Sequence, residues 1–210
     1  MRLMVSTLRS GNVYIKKIKT LIEFIIIGAS AGGDKALTKI IPRLNNELKI
    51  PLLIVLHNLT SAYFVEILSR KTTIPISLAE SGLELNKGNL RIYVAKSGFH
   101  TRIIKDLDNR RVIFAYEEKS TPFIFPNISE TMLTASTIFA GKLMGVILTG
   151  MGSDGVEGMR AIKKNGGITI VQDPALAEFS SMPKSVTESG IADYILPLGM
   201  IPSKINQLAL

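Results

Sequence analysis

A chain of 210 residues, 46% hydrophobic and 20% charged, has the length and composition of one globular domain with a sizeable core. It contains no cysteine, which excludes disulfides and thiolate metal sites, and its two histidines, His57 and His100, are too few for a multi-histidine zinc centre. The net charge of +8 favours acidic partners, yet the bases are scattered and accompany no nucleic-acid-binding motif, so solvated faces explain most of them and nucleic acid is not an expected partner.

Met1 to Thr20 is basic and weakly patterned, with no apolar run long enough for a signal peptide or a membrane span. Residues 1–23 read as a basic N-terminal extension and residues 24–210 as the domain. Phe24-Ile25-Ile26-Ile27 is a run of large apolar residues that does not alternate, the mark of a strand buried on both faces. It breaks into Gly28-Ala29-Ser30-Ala31-Gly32-Gly33, and Ala36, Leu37, Ile40, Ile41 and Leu44 then recur at helical spacing. Leu52 to Leu56 is a second buried strand ending in His57, followed by a helix over Ser61 to Lys71. Short strands are expected at Ile76 to Ala79 and Arg91 to Ala95. Ile103-Ile104 and Val112-Ile113-Phe114 flank Asp106 to Asn109 as a β-hairpin between Thr101 and Tyr116. A helix over Asn127 to Lys142 precedes a buried strand, Met144 to Leu148, which leads into Thr149-Gly150-Met151-Gly152-Ser153-Asp154-Gly155. A helix from Val156 to Lys164 ends at Asn165-Gly166-Gly167, a plausible C-cap; strand Ile168 to Val171, helix Pro183 to Ser189 and strand Tyr194 to Leu196 complete the pattern. Strands separated by helices imply a three-layer α/β sandwich: a mainly parallel, doubly wound sheet with one antiparallel β-hairpin.

Gly28 to Gly32 fits G-x-S-x-G, which on a strand-to-helix turn presents its serine as a nucleophile. Ser30 could equally be a helix N-cap. A dinucleotide-binding turn is disfavoured, because Gly28, Gly32 and Gly33 lack the G-x-G-x-x-G spacing and the next strand ends in His57 rather than an acid. Ligands of such sheets gather at the carboxyl ends of the strands, where Ser30, His57 and Asp154 all fall. A serine needs a base in reach, histidine titrates nearest neutrality, and a carboxylate on the second ring nitrogen fixes its tautomer. Each residue has a plainer reading: His57 satisfying backbone groups, Asp154 capping a helix. His100 competes as base, but it starts the hairpin whereas His57 ends a buried strand. The order Ser…His…Asp differs from the Ser…Asp…His of α/β-hydrolases.

From about Phe24 to Leu198 the chain resembles the catalytic domain of the chemotaxis protein-glutamate methylesterases. The likeness rests on I-I-G-A-S-A-G-G around Ser30, a histidine ending the second strand and I-Y-V-A-K-S-G-F-H up to His100. G-V-I-L-T-G-M-G-S-D-G around Asp154, V-Q-D-P from Val171 and Met182-Pro183 extend it. The resemblance implies that Ser30 is the nucleophile, His57 the general base and Asp154 its orienting acid, with the backbone N–H groups of Ala31 and Met151 binding the oxyanion. It implies hydrolysis of γ-glutamyl methyl esters on a methylated chemoreceptor or similar signalling protein, in the cytoplasm and with no metal or organic cofactor. Many members also deamidate receptor glutamines. Many carry an N-terminal receiver domain, for which residues 1–23 are too few, so a stand-alone catalytic domain indifferent to a phosphodonor is expected. The pattern departs from the family at Ala31 (usually Thr), Leu56 (Gln), Asn58 (apolar), Phe125-Pro126-Asn127 (Arg-Pro-Ser) and Ser180-Ser181 (Tyr-Gly), and at none of the three triad positions. Two other readings use the same residues: a non-catalytic receptor-docking module, and a small-molecule carboxylesterase.

Overall fold

The computed structural model describes residues 21–57, 60–85, 88–107, 112–117 and 126–210. The expected basic extension and the turn of the hairpin therefore lie outside the described residues, apart from residues 21–23 and 106–107. Strand β1 (Phe24–Ala29) is buried along its whole length. Helix α1 (Gly33–Ile40) follows, then β2 (Leu52–Leu56), α2 (Ser61–Ser69), β3 (Ile76–Leu78) and β4 (Ile92–Val94). The hairpin strands β5 (His100–Lys105) and β6 (Val112–Glu117) come next, then α3 (Ile128–Phe139) and β7 (Leu143–Ile147). The chain closes with α4 (Val156–Lys164), β8 (Ile168–Gln172), α5 (Ser181–Glu188), β9 (Tyr194–Leu196) and α6 (Ile201–Ala209).

Seven strands form one sheet in the order β3-β4-β2-β1-β7-β8-β9, every pair parallel, and β5 and β6 form a separate antiparallel pair. This is the three-layer architecture expected. Alternate residues of β1 feed opposite layers. Ile25 and Ile27 pack with Leu37 and Ile40 of α1, Leu68 of α2 and Ile205 of α6. Phe24 and Ile26 pack with Met132 of α3, Met159 of α4, Val186 of α5 and Phe114 of the hairpin. Each such fully buried side chain contributes about 1.5–3 kcal/mol relative to exposure. The chain leaves β1 towards β2, β3 and β4, then returns on the other side to β7, so the order reverses at β1. In open α/β sheets ligands gather at such a reversal, here at the carboxyl ends of β1 and β7.

Element boundaries shift for local reasons. Helix α1 stops at Ile40, because Pro42 has no N–H to continue it and residues 41–43 tighten into a 3₁₀ turn. Helix α5 starts at Ser181, ahead of the expected Pro183, since a proline in the first turn forfeits only an N–H that has no helical partner. Helix α6 has no counterpart in the sequence reading. It opens with Pro202 in its first turn and buries Ile201, Pro202, Ile205 and Ala209 beside α1.

Candidate functional site

Ser30 directly follows β1 and His57 directly follows β2, and the register that pairs Ala29 with Leu56 brings them side by side. The His57 N–H donates to Ala29 C=O at 3.1 Å, and the Ser30 N–H donates to Thr149 C=O at 3.1 Å. Ser30 does not cap α1. Gly32 takes that position with φ of 71°, a conformation that glycine adopts without strain, and no side chain caps the helix. The helix can then lie close on the sheet, since a Cβ on Gly33 would stand 2.7 Å from Ala29 Cβ. Ser30 is half-buried, and its hydroxyl makes no hydrogen bond among the described residues.

Asp154 reaches His57 from the loop after β7. His57 Nε2 lies 3.0 Å from Asp154 Oδ2, with both side chains about nine-tenths buried. Asp154 Oδ2 also accepts the Ile128 N–H at 2.7 Å, and Oδ1 accepts the N–H groups of Ser129 at 2.9 Å and Gly155 at 2.7 Å. Burial pushes the Asp154 carboxyl up. The hydrogen bond from His57 and those from the first N–H groups of α3 oppose it and prevail, holding the carboxyl below its ordinary value. Asp154 is therefore ionised at neutral pH and accepts only, so His57 Nε2 carries the proton between them and Nδ1 is the basic nitrogen. His100 stands near by: its Nδ1 accepts the Asn127 N–H at 3.3 Å, at the same N-terminus of α3 whose next two N–H groups Asp154 accepts, whereas it is His57 that contacts the Asp154 carboxylate.

The N–H groups of Ala31 and Met151 have no hydrogen-bond partner among the described residues. A peptide plane points its C=O and N–H in opposite directions, so anchoring one aims the other. The Ser30 C=O accepts the Gly33 N–H at 2.8 Å, which directs the Ala31 N–H away from α1. The Gly150 C=O accepts the Met182 N–H at 3.0 Å, which directs the Met151 N–H away from α5. Gly150 has no room for a side chain, because a Cβ there would stand 2.6 Å from Met182 Cε and 2.8 Å from Ser30 Cβ. The side chains of Met151 and Phe179 are exposed on the two segments that meet at Gly150, and Lys35 and Glu178 pair at 2.8 Å.

Several participants were not singled out from sequence. Ser129 holds Asp154 through its N–H, and its Oγ accepts the Gly155 N–H at 2.8 Å. Gln172, buried on β8, accepts the Thr149 N–H at 2.8 Å, and Thr149 hydrogen-bonds Ala31 and Phe179. The sequence signals for these were the V-Q-D-P block for Gln172 and the G-V-I-L-T-G-M-G-S-D-G block for Thr149; Ser129 and Phe179 had none. No cluster of metal-ligating side chains occurs among the described residues, and none of their helices is long and apolar enough to cross a membrane.

The family model described as CheB methylesterase matches residues 25–205. The chain belongs to the CheB methylesterase family. A Leptospira interrogans protein named putative protein-glutamate methylesterase/protein-glutamine glutaminase is 40% identical over 181 residues, which are 85% of this chain and 91% of that protein. A Pyrococcus horikoshii protein-glutamate methylesterase/protein-glutamine glutaminase is 34% identical over 196 residues, 90% of this chain but 52% of its own length. The chain thus spans nearly all of the first relative and about half of the second. The crystal structure of the Thermotoga maritima CheB methylesterase catalytic domain matches with a TM-score of 0.83 at 32% identity, covering 89% of this chain and 98% of that one. Two of the departures from the usual CheB-family residues have visible consequences. Asn127 caps α3 by accepting the Glu130 N–H at 2.7 Å, and Ser181 Oγ accepts the Gly152 N–H at 3.1 Å.

Proposed function

We propose that the chain is a protein-glutamate methylesterase whose catalytic domain is residues 24–210, acting in the cytoplasm on methylated chemoreceptors or similar signalling proteins. The observation that carries this reading is the His57–Asp154 contact of 3.0 Å, built on the carboxyl-end row where Ser30 also stands. Ser30 Oγ attacks the ester carbonyl and passes its proton to His57 Nδ1, the nitrogen that Asp154 leaves basic. The Ser30 side chain turns onto Nδ1 as substrate binds, in keeping with the loose catalytic hydrogen bonds of free enzymes. Negative charge on the tetrahedral oxygen is met by the Ala31 and Met151 N–H groups, and Asp154 stabilises the imidazolium. The methoxide leaves with the proton from His57, giving methanol and a glutamyl ester of Ser30. Water, deprotonated by His57, then releases the glutamate and restores Ser30.

The same acylation with an amide leaving group releases ammonia, so glutamine deamidation is a second activity of this site. The relatives' names carry both activities. The test is methanol release from a methyl-labelled receptor fragment by the wild-type chain and by Ser30→Ala. Release by the wild type alone supports the reading. Release by neither fits a docking module, and hydrolysis of small esters without any receptor turnover fits a general carboxylesterase.

A further inference from the structure

Thr149 is 1% exposed, and its N–H, C=O and hydroxyl are all engaged, with β8 and with the loops after β1 and β8. Its C=O accepts the Ser30 N–H at 3.1 Å. Its own N–H is held at 2.8 Å by Gln172 Oε1, from a side chain only 2% exposed on β8. Its hydroxyl accepts the Phe179 N–H at 2.9 Å and lies within donating distance of the Ala31 C=O at 3.1 Å and the Phe179 C=O at 3.3 Å. One hydroxyl proton cannot fully serve two carbonyls, so it is shared or alternates between them. The Phe179 C=O in turn accepts the Gly150 N–H at 3.0 Å, and the Gly150 C=O is the anchored end of the peptide that aims the Met151 N–H.

The order of contacts is therefore Ala31, Thr149 hydroxyl, Phe179, Gly150. Ala31 carries one proposed donor, and Gly150 at the other end carries the C=O of the peptide whose N–H is that of Met151. These loops follow β1, β7 and β8, and their distant sequence positions do nothing to set the gap between the two N–H groups.

We propose that Thr149 is a positioning residue: its hydroxyl, steadied by Gln172, ties the Ala31 and Phe179 backbones together and thereby sets the spacing of the two oxyanion donors. This rests on the reading of Ser30 as nucleophile and of Ala31 and Met151 as donors. An isosteric Val at 149 keeps the volume but leaves the Phe179 N–H and the Ala31 C=O without their partner. The donors then drift relative to an oxygen that carries charge only in the transition state. Turnover should suffer more than ground-state binding.

The experiment compares wild type, Thr149→Val and Thr149→Ser in the full chain, measuring methanol release from a methyl-labelled receptor fragment and backbone amide exchange by NMR. Thr149→Val should lower kcat by about 10–100-fold with KM within about threefold, the scale of a small misplacement of catalytic groups. Thr149→Ser restores the hydroxyl and should recover kcat to within about threefold of wild type. The Phe179 amide should be protected in wild type and Thr149→Ser, and should exchange at least about tenfold faster in Thr149→Val. Thr149→Val with wild-type kcat, a loss confined to KM, or a serine variant as impaired as the valine each overturns the proposal. If Thr149→Val does not fold, a wild-type Phe179 amide exchanging at free-loop rates overturns it without any variant. A wild-type chain that releases no methanol while Phe179 is protected defeats the esterase reading instead. The exchange comparison of the three proteins then decides whether Thr149 fastens the loops.

Discussion

Replacing Asp154 by Asn should cost both activity and stability, because the two carboxylate oxygens accept four N–H groups between them. An amide has one oxygen to offer, so its NH₂ must face donors whichever way it turns. Placed at Oδ1, it opposes the N–H groups of Ser129 and Gly155. Placed at Oδ2, it opposes the Ile128 N–H and drives His57 to the tautomer protonated on Nδ1, which can no longer accept the Ser30 proton. A buried donor left without a partner costs about 1–3 kcal/mol, and loss of a helix cap alone costs about 0.5–2 kcal/mol. A destabilisation of roughly 2–4 kcal/mol is therefore expected, which lowers Tm by about 4–16 °C in a chain of this size. The corresponding change in a serine protease lowers kcat by about 10⁴ while leaving the geometry intact. Here the kinetic loss should be at least as large and come with the structural one. Methanol release and urea unfolding followed by circular dichroism measure the two effects on one preparation. A folded Asp154→Asn variant within tenfold of wild-type kcat, or one no less stable than wild type, would refute the assignment of Asp154 to both tasks.

Ser30→Ala should abolish methanol release and leave the unfolding midpoint nearly unchanged, since the hydroxyl it removes makes no hydrogen bond among the described residues. Gly150→Ala should lower kcat by about 10–100-fold and stability by about 1–3 kcal/mol, because the new Cβ presses on both Ser30 Cβ and Met182; kinetics and urea unfolding report each. With a net charge of +8, affinity for an acidic receptor surface should fall as salt rises, exposed charges being screened over about 8–10 Å near physiological ionic strength. Charge reversal at exposed Lys105 is the cleaner test on the hairpin, because Arg102 is engaged with Glu130 at 2.7 Å; affinity indifferent to both salt and reversal counts against electrostatic docking.

What could be read from sequence was what depends on local pattern. The run Phe24 to Ile27 and the apolar strands at Leu52 and Met144 declare themselves as buried strands, and the glycines after the first and third as turns. From those alone Ser30, His57 and Asp154 fall at one edge of one sheet. Contacts between loops distant in sequence could not be read this way. Nothing near Asp154 announces that its carboxylate is shared with the Ile128 and Ser129 N–H groups, which enter from a helix that starts 26 residues earlier. Nothing near Thr149 announces Phe179. Helix α6 lies beyond the last element read from the sequence, although Pro202 in its first turn is a helix-start signal.

Asp154 does not cap the helix that follows it, contrary to its plainer sequence reading; its carboxylate bonds His57 and the start of a different helix together. The helix it caps is α3, not the α4 that follows it, whose own N-cap is Gly155 with φ of 97°. Capping supplies what the histidine partner requires. A carboxylate buried against apolar neighbours would drift towards its neutral form, and a neutral acid would no longer compel His57 to place its proton on Nε2. The hydrogen bond from His57 and the first N–H groups of α3 keep it charged. The sign of the resulting pH dependence follows. The folded-state pKa of Asp154 lies below its unfolded value, so its stabilising contribution is complete above the unfolded pKa and is lost as pH falls through the folded one. Wild type should therefore lose stability on acidification below about pH 4, whereas Asp154→Asn, already without that contribution, should lose less over the same interval. Parallel pH–stability curves for the two proteins would mean that Asp154 is not held ionised by His57 and α3, and the tautomer argument for His57 would fall with it.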